Sequence, residues 1–254
     1  MNVRPLSQWR GCLPAQSRTA RKVGSGAGRL MVQGGAEGSA DWVQTAVPCE
    51  QQNGGSCVAH GWANWLEHML RRTIGRDAIP PGMQLDGDAL YLEARRWFYR
   101  DEDLNGGLAI PQGFEAMKLM AWIDDDSELV EVDASFDARN EALRGSPLVV
   151  GHHVHHGWEN PSPVNGCLNH YYAPTVEDGY HCTLEIGQRV QAGNRFAVRQ
   201  NSWGKLWGWH GLYLQSEDED QRDIMADGPY TAILPATWLQ QGGWKQGLVR
   251  DANW

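Results

Sequence analysis

The sequence predicts an α+β protein built in two lobes, and three observations carry that expectation. Helical periodicity dominates the first half, at 56–72, 87–99 and 112–123. After Gly145 the texture changes to short strand-like runs at 147–154, 181–186, 195–200 and 211–214, divided by Gly, Asn, Pro and Asp. Helices first and strands afterwards describe segregated elements rather than alternating βαβ units. The composition, 41% hydrophobic and 21% charged over 254 residues, suits an ordinary globular chain with one large domain or two small lobes sharing a core.

Residues 1–39 read differently from the rest. Arg4, Arg10, Arg18, Arg21, Lys22 and Arg29 face a single acid, Glu37, so the segment carries +5 while the remainder of this −9 chain carries −14. With GSGAG at 24–28 and GGAEGS at 34–39 it has too little apolar surface to order itself, and reads as an extended basic arm. Such an arm could dock on an acidic partner or on the protein's own acidic body. The start lacks the apolar core of a secretory signal, and no run reaches the roughly 20 apolar residues of a membrane span. The expectation is a cytoplasmic or virion-associated protein with no membrane span. A body at −14 argues against specific nucleic-acid binding, which the arm alone would support only weakly.

The body, 40–254, divides into a helical lobe (about 40–145) and a β-rich lobe (about 146–254). In the first helix Val58, Trp62, Trp65, Leu66, Met69 and Leu70 recur at three- and four-residue steps. Ser56 suits its N-cap, and Arg71 and Arg72 suit its negative end. The third helix starts at Pro111 and stops before Asp124–Asp126. PPG at 80–82 and NGG at 105–107 are turn signals. The acidic runs Asp101–Asp103 and Glu217–Asp220 read as solvated loops. Thirteen tryptophans against four phenylalanines mean that many core side chains carry an N–H that wants a partner.

Five cysteines, Cys12, Cys49, Cys57, Cys167 and Cys182, are odd in number and irregular in spacing, so they form no disulfide framework, and without a CxxC pair no thiolate zinc site. Cys57 stands out. It opens an amphipathic helix, where free N–H groups and the helix dipole favour a thiolate. Gly54 and Gly55 allow close approach of a substrate, and the Gln51 amide with the Cys57 N–H would make an oxyanion hole. His60, one turn along the same helix, leaves no room for a substrate between itself and Cys57. In His152-His153-Val154-His155-His156, strand alternation puts only two imidazoles on each face, with Glu159 the nearest carboxylate. These read as partly exposed histidines near a cleft rim, and no metal or cofactor is expected. His68, His170 and His210 carry no signal.

The run Gln51-Gln52-Asn53-Gly54-Gly55-Ser56-Cys57 resembles the nucleophile segment of papain-like (C1 family) cysteine peptidases, and Ala40-Asp41-Trp42 resembles the start of the mature enzyme. Two further blocks match in order. Residues 179–187, around His181, resemble the strand bearing the catalytic histidine. Residues 199–204, with Asn201-Ser202-Trp203-Gly204, and the following Trp207-Gly208 and Gly211-Leu212-Tyr213, resemble the asparagine block. The likeness spans about 40–215 and points to a divergent, bacterial- or phage-type member.

That resemblance implies a papain-like two-lobe fold, with a helical lobe, a β-barrel-like lobe and the site between them. It implies a cysteine endopeptidase acting through an acyl-enzyme: Cys57 as nucleophile, His181 as base, Asn201 orienting the imidazole, Gln51 in the oxyanion hole and Trp203 shielding the His–Asn bond. Gly106 and Gly107 would pair with a substrate backbone. Leu108, Ile110, Gly151 and Cys182 would line an S2 pocket that favours an apolar P2 residue, although Cys182, pointing away from His181 on its strand, also suits packing. The partner is then a peptide or protein substrate. Alternatives on the same constellation are a cell-wall amidase or transpeptidase, and a catalytically silent papain-fold subunit of an assembly such as a virion, for which the arm and Trp238, Trp244 and Trp254 are candidate contacts. Three features differ from the family's habit: Val58 replaces a Trp, Gly54 replaces a disulfide cysteine, and Tyr180 precedes the histidine. The missing disulfide suits a reducing compartment or a bacterial-type branch, and the arm is shorter than the usual inhibitory pro-segment.

Overall fold

The computed structural model describes residues 12–13, 21–23, 41–45, 47–75, 83–158, 179–235, 237–238 and 248–250. Outside them lie most of the arm, the PPG turn at 80–82, Glu159, Cys167, His170, Trp244 and Trp254.

The helical half is organised by α1 (Cys57–Thr73), whose first fourteen residues are all buried. Its apolar stripe meets α2 (Gly87–Phe98) and α3 (Ile110–Leu119). Asp86 caps α2 by accepting from the Asp88 and Ala89 amides at 3.0 Å, and Gln112 closes the start of α3 on the Ala109 amide at 2.9 Å. Helix packing is tight enough to demand glycine at 113, where a Cβ would sit 2.6 Å from Trp62 Cδ1. The buried indoles find their partners: Trp42 Nε1 donates to Leu143 O (2.7 Å), Trp62 Nε1 to Ile110 O (2.8 Å) and Trp65 Nε1 to Ser146 Oγ (2.8 Å). At the C-terminal end of α1 the Arg72 guanidinium lies 4.0 Å over the Trp42 ring.

The other half is a seven-stranded sheet in the order β2 (Arg21–Val23), β5 (Glu128–Val132), β10 (Tyr230–Ile233), β6 (Leu148–His153), β7 (Tyr180–Gln191), β8 (Asn194–Gln200), β9 (Leu212–Ser216). Only the β2–β5 pair is parallel. Among the described residues this sheet is open, so the barrel-like lobe expected from the resemblance is an open sheet instead. Its strands also begin earlier in the chain than Gly145, because β5 pairs with β10. β7 and β8 join through Ala192 and Gly193, both at positive φ as a two-residue hairpin turn requires. Two small sheets complete the architecture: β3 (Met83–Leu85) with β11 (Leu248–Arg250), and β1 (Cys12–Leu13) parallel to β4 (Leu108–Ala109).

The acidic run Glu217–Asp220 is not a solvated loop. It opens α5 (Glu217–Asp223), with Glu219 accepting from Ser216 Oγ at 2.9 Å in a capping box. Asp220 is fully buried with Glu185 of β7, Arg199 of β8 and Arg139 of α4 (Phe136–Leu143). Arg199 reaches Asp220 at 2.5 Å and Glu185 at 2.9 Å, and Arg139 pairs with Asp220. Four charges neutralise one another where none could stand alone.

Candidate active site

The loop before α1 is held by polar contacts. Gly54 has φ +61°, and a Cβ there would run into the Leu104 carbonyl; the next amide, Gly55 N, donates to that same oxygen at 2.6 Å. Gln52 is buried and spans the two lobes: its Nε2 donates to Gly54 O (2.7 Å) and its Oε1 accepts from Ser202 Oγ (2.5 Å). Asp88 of α2 gathers the rest. It accepts from Asn53 Nδ2 (2.6 Å), Ser56 Oγ (2.6 Å) and His60 Nε2 (3.0 Å), while the other nitrogen of His60 bonds Glu50. Ser56 therefore occupies the N-cap position expected of it but gives its hydroxyl to Asp88 rather than to the helix. Burial works against charge on His60, yet Glu50 and Asp88 outweigh it and push its pKa up to about 10. Asp88 in turn falls to about 2, burial being overcome by the His60 and Ser56 bonds and the His60 charge.

On the sheet side, His181 lies near the start of β7 and Asn201 follows β8. Their side chains meet at 2.6 Å, His181 Nε2 to Asn201 Oδ1, and the Ser202 amide donates to the same oxygen at 2.8 Å. Trp203 lies with its ring centroid 4.7 Å from the imidazole and tilted 33°. Trp158 meets the imidazole edge-on at 6.0 Å and 89°. Trp207 and Tyr213 extend this aromatic wall, Trp207 Nε1 donating to Trp158 O at 2.8 Å. His181 Nδ1 is buried and makes no hydrogen bond with the protein. Burial lowers the His181 pKa to about 4, against the Asn201 bond and helped by the positive His60, so the ring is neutral.

Cys57 opens α1, and the backbone around its sulfur, at Cys182 one residue beyond His181, at Val58 and at Cys57 itself, works to lower the thiol's pKa. Even so the thiol is pushed well above its ordinary value, first by burial, since Cys57 has no exposed surface, and then by the nearby Cys12. The helix terminus does not win while the site is covered.

The cover is part of the arm. Cys12 and Leu13 pair in register with Leu108 and Ala109, just beyond Gly106-Gly107, and β1 also touches β7. Ile110, Gly151 and Cys182, expected around one pocket, do converge. A Cβ on Gly151 would lie 3.5 Å from Ile110 Cδ1, 3.3 Å from Cys12 Sγ and 2.7 Å from Met225 Sδ, and Gly151 pairs with Cys182 across β6–β7. Leu108 is buried beneath the arm's pairing. Gly106 and Gly107 are set by Arg95, which donates to Gly107 O at 3.1 Å and would collide with any side chain at 106. Gln51 is exposed; its backbone bridges to Trp203 and its side chain leans on Gly204.

Sequence reasoning misplaced two histidines and overlooked several residues. His152 and His155 are fully buried, not at an exposed rim: His155 leaves the strand and bonds Asp223 at 3.2 Å. No three His, Cys, Asp or Glu side chains among the described residues are placed to hold a metal ion. Met225 and Trp158 carry no motif that would have marked them. Cys12 could have been suspected as a thiol isolated in a basic arm.

This arrangement of lobes, cleft and sheet is the papain-like α+β fold. Among solved structures the chain is similar to xylellain, a cysteine protease from Xylella fastidiosa, at 16% identity over 92% of this chain and 99% of that one, with a TM-score of 0.63. It is also similar to procathepsin B S9 from Trypanosoma congolense (10% identity, 90% and 86% covered, TM-score 0.61) and to the digestive procathepsin L 3 of Tenebrio molitor larval midgut (12%, 90% and 77%, 0.61). No family model matches the chain, and no curated protein does.

Proposed function

We propose that this protein is a cysteine peptidase that hydrolyses peptide bonds through Cys57, His181 and Asn201. The observation that carries the reading is the buried His181–Asn201 bond beneath Trp203, which leaves Nδ1 without a protein partner on β7, the strand packed against the helix that Cys57 opens. Asn201 fixes the ring's rotation and tautomer, and Nδ1 is the nitrogen left to take the thiol proton. With the arm displaced, water returns to the sulfur and the helix terminus favours the thiolate. The thiolate attacks the peptide carbonyl. The Cys57 amide and the Gln51 side chain stabilise the oxyanion, and His181 gives its proton to the leaving amine. His181 then deprotonates the water that releases the acyl group. The substrate is a peptide whose P2 side chain is apolar and enters the space between Ile110, Gly151, Cys182 and Met225.

The test is a peptidyl epoxide with an aliphatic P2 group, its adduct located by mass spectrometry, alongside turnover of a fluorogenic peptide. Fast modification of Cys57 that is lost in His181→Ala supports the reading. Labelling of Cys57 no faster than of Cys49, with no turnover, overturns it. A general base contributes roughly 10²–10⁴-fold, so the His181 variant should lose at least two orders of magnitude.

A further inference from the structure

Three thiols meet in one buried place. Cys12 comes from β1, Cys57 from the first turn of α1 and Cys182 from β7, and they are 3%, 0% and 1% exposed. Cys12 Sγ lies 3.8 Å from Met225 Sδ, beside Gly151, and Gly151 is the cross-strand partner of Cys182. Cys12 Sγ lies 3.3 Å from where a Cβ on Gly151 would sit, and Cys182 occupies the facing position of the next strand, its Sγ turned to Gly61 of α1. Cys49 is elsewhere, donating to Asn201 O at 2.6 Å. Hydrolysis uses neither the Cys12 nor the Cys182 sulfur, and their meeting joins the arm to the floor of the pocket.

We propose that Cys12 and Cys182 form a redox modification site: a peroxide oxidises them to a disulfide that fixes the arm across the cleft. The covered thiols are poor nucleophiles, because burial pushes both Cys182 and Cys57 upward. Oxidation therefore begins on the arm. With β1 still over Cys57, Cys12 is the most exposed of the three at 3%; its sulfur attacks hydrogen peroxide, the O–O bond breaks, and Cys12 becomes a sulfenic acid as one water leaves. The Cys182 sulfur then attacks the sulfenic sulfur. The S–O bond breaks, the S–S bond forms, and the departing hydroxide takes the Cys182 proton and leaves as a second water. Two thiols and one peroxide give one disulfide and two waters, and a dithiol reverses the change. Cys57 stays a thiol but is shut in, protected from further oxidation. The reduced arm is a displaceable cover, and the oxidised arm is a covalent one. The proposal rests on the hydrolase reading only for the meaning of the cleft; the disulfide itself does not.

The full-length chain, treated with equimolar hydrogen peroxide and then alkylated, is digested without reductant by trypsin and a protease cutting before Asp178, which separates Cys182 from Cys167. The expected product is a Cys12–Cys182 linked peptide in the wild type and equally in Cys57→Ser, absent from Cys12→Ser and removed by dithiothreitol. Epoxide labelling of wild-type Cys57 should fall at least 10-fold on oxidation and recover on reduction, while Cys12→Ser should lose this reversible protection. No linked peptide, or Cys12 joined mainly to Cys57 or Cys167, overturns the proposal. So does a Cys12–Cys182 link that leaves Cys57 labelling unchanged. Because the link is read in Cys57→Ser, a wild type that forms the link yet turns over no peptide when reduced would sink the hydrolase reading and leave the redox site standing.

Discussion

Replacing His60 by glutamine isolates one device, the imidazolium held between Glu50 and Asp88 beside the loop that leads into α1. The wild-type ring is 3% exposed, so solvent screens it little. Its rise from 6.5 to about 10 corresponds to a preference for the charged, folded form on the order of 5 kcal/mol. Glutamine keeps one donor but no charge and leaves two carboxylates facing each other, so a loss of ~3 kcal/mol in unfolding free energy is expected at pH 6. That is a urea midpoint lower by about 1 M or more. The sign of the pH dependence is fixed. A raised histidine contributes in full below 6.5 and loses its contribution as pH climbs through about 10. The groups around it are Glu50 and Asp88, with Gln84 on Glu50 and with Glu67 and Arg71 further along α1. Glu67, raised to about 8 by burial and then by Glu50, loses stability in the same direction between 4.5 and about 8, but does so in both proteins. The difference between wild type and His60→Gln should therefore shrink from ~3 kcal/mol at pH 6 to under ~1 kcal/mol near pH 10. Urea melts at the two pH values measure it. A difference below ~1 kcal/mol at pH 6, or one that stays constant to pH 10, refutes the reasoning.

Two further changes have defined outcomes. Arg199→Met leaves Glu185 and Asp220 sharing only Arg139 in a site with no exposed surface, and should cost about 3–5 kcal/mol by chemical denaturation; a cost under ~1 kcal/mol would mean the cluster is self-sufficient without it. Gly151→Val places methyl groups where Met225 and the arm now lie, so kcat/KM for a leucine at P2 should fall at least ~10-fold relative to alanine at P2, and equal losses for both would remove Gly151 from the pocket wall.

What was legible in the sequence is what periodic pattern or local chemistry announces. The α1 stripe from Val58 to Leu70 predicts a helix to within a residue at each end, because burial on one side demands that spacing. His181 and Asn201 stand out through the residues around them, and they do meet. The polar scaffold was not legible. Glu50, His60, Gln84 and Asp88 come from four places with no shared period, and only folding brings them together. In the acidic run a signal was present and passed over: Ser216 and Glu219 have the capping-box spacing, whereas the burial of Asp220 depends on Arg139, 81 residues away. Strand alternation was applied to the histidine run beyond its range, since β6 ends at His153 and His155 turns in to Asp223.

The state of Cys57 turns on which of two opposed effects is larger. A helix N-terminus favours a negative group by about 0.3–1 kcal/mol at an exposed site and up to ~2 kcal/mol in a partly buried one. Taking an ion wholly out of water costs several kcal/mol. With Cys12 and Leu13 in place the second effect prevails, so thiol and imidazole are both neutral and no thiolate–imidazolium pair stands ready. Cys12 and Leu13 are held to Leu108 and Ala109 by strand pairing, in which each hydrogen bond contributes about 0.5–1.5 kcal/mol net. Under the proposed mechanism, a peptide that fills the same pocket better than a cysteine side chain does takes the place of these two residues. Under that mechanism reactivity follows occupancy: a substrate that lifts the arm also rehydrates the sulfur, so Cys57 is ionised only when there is something to attack.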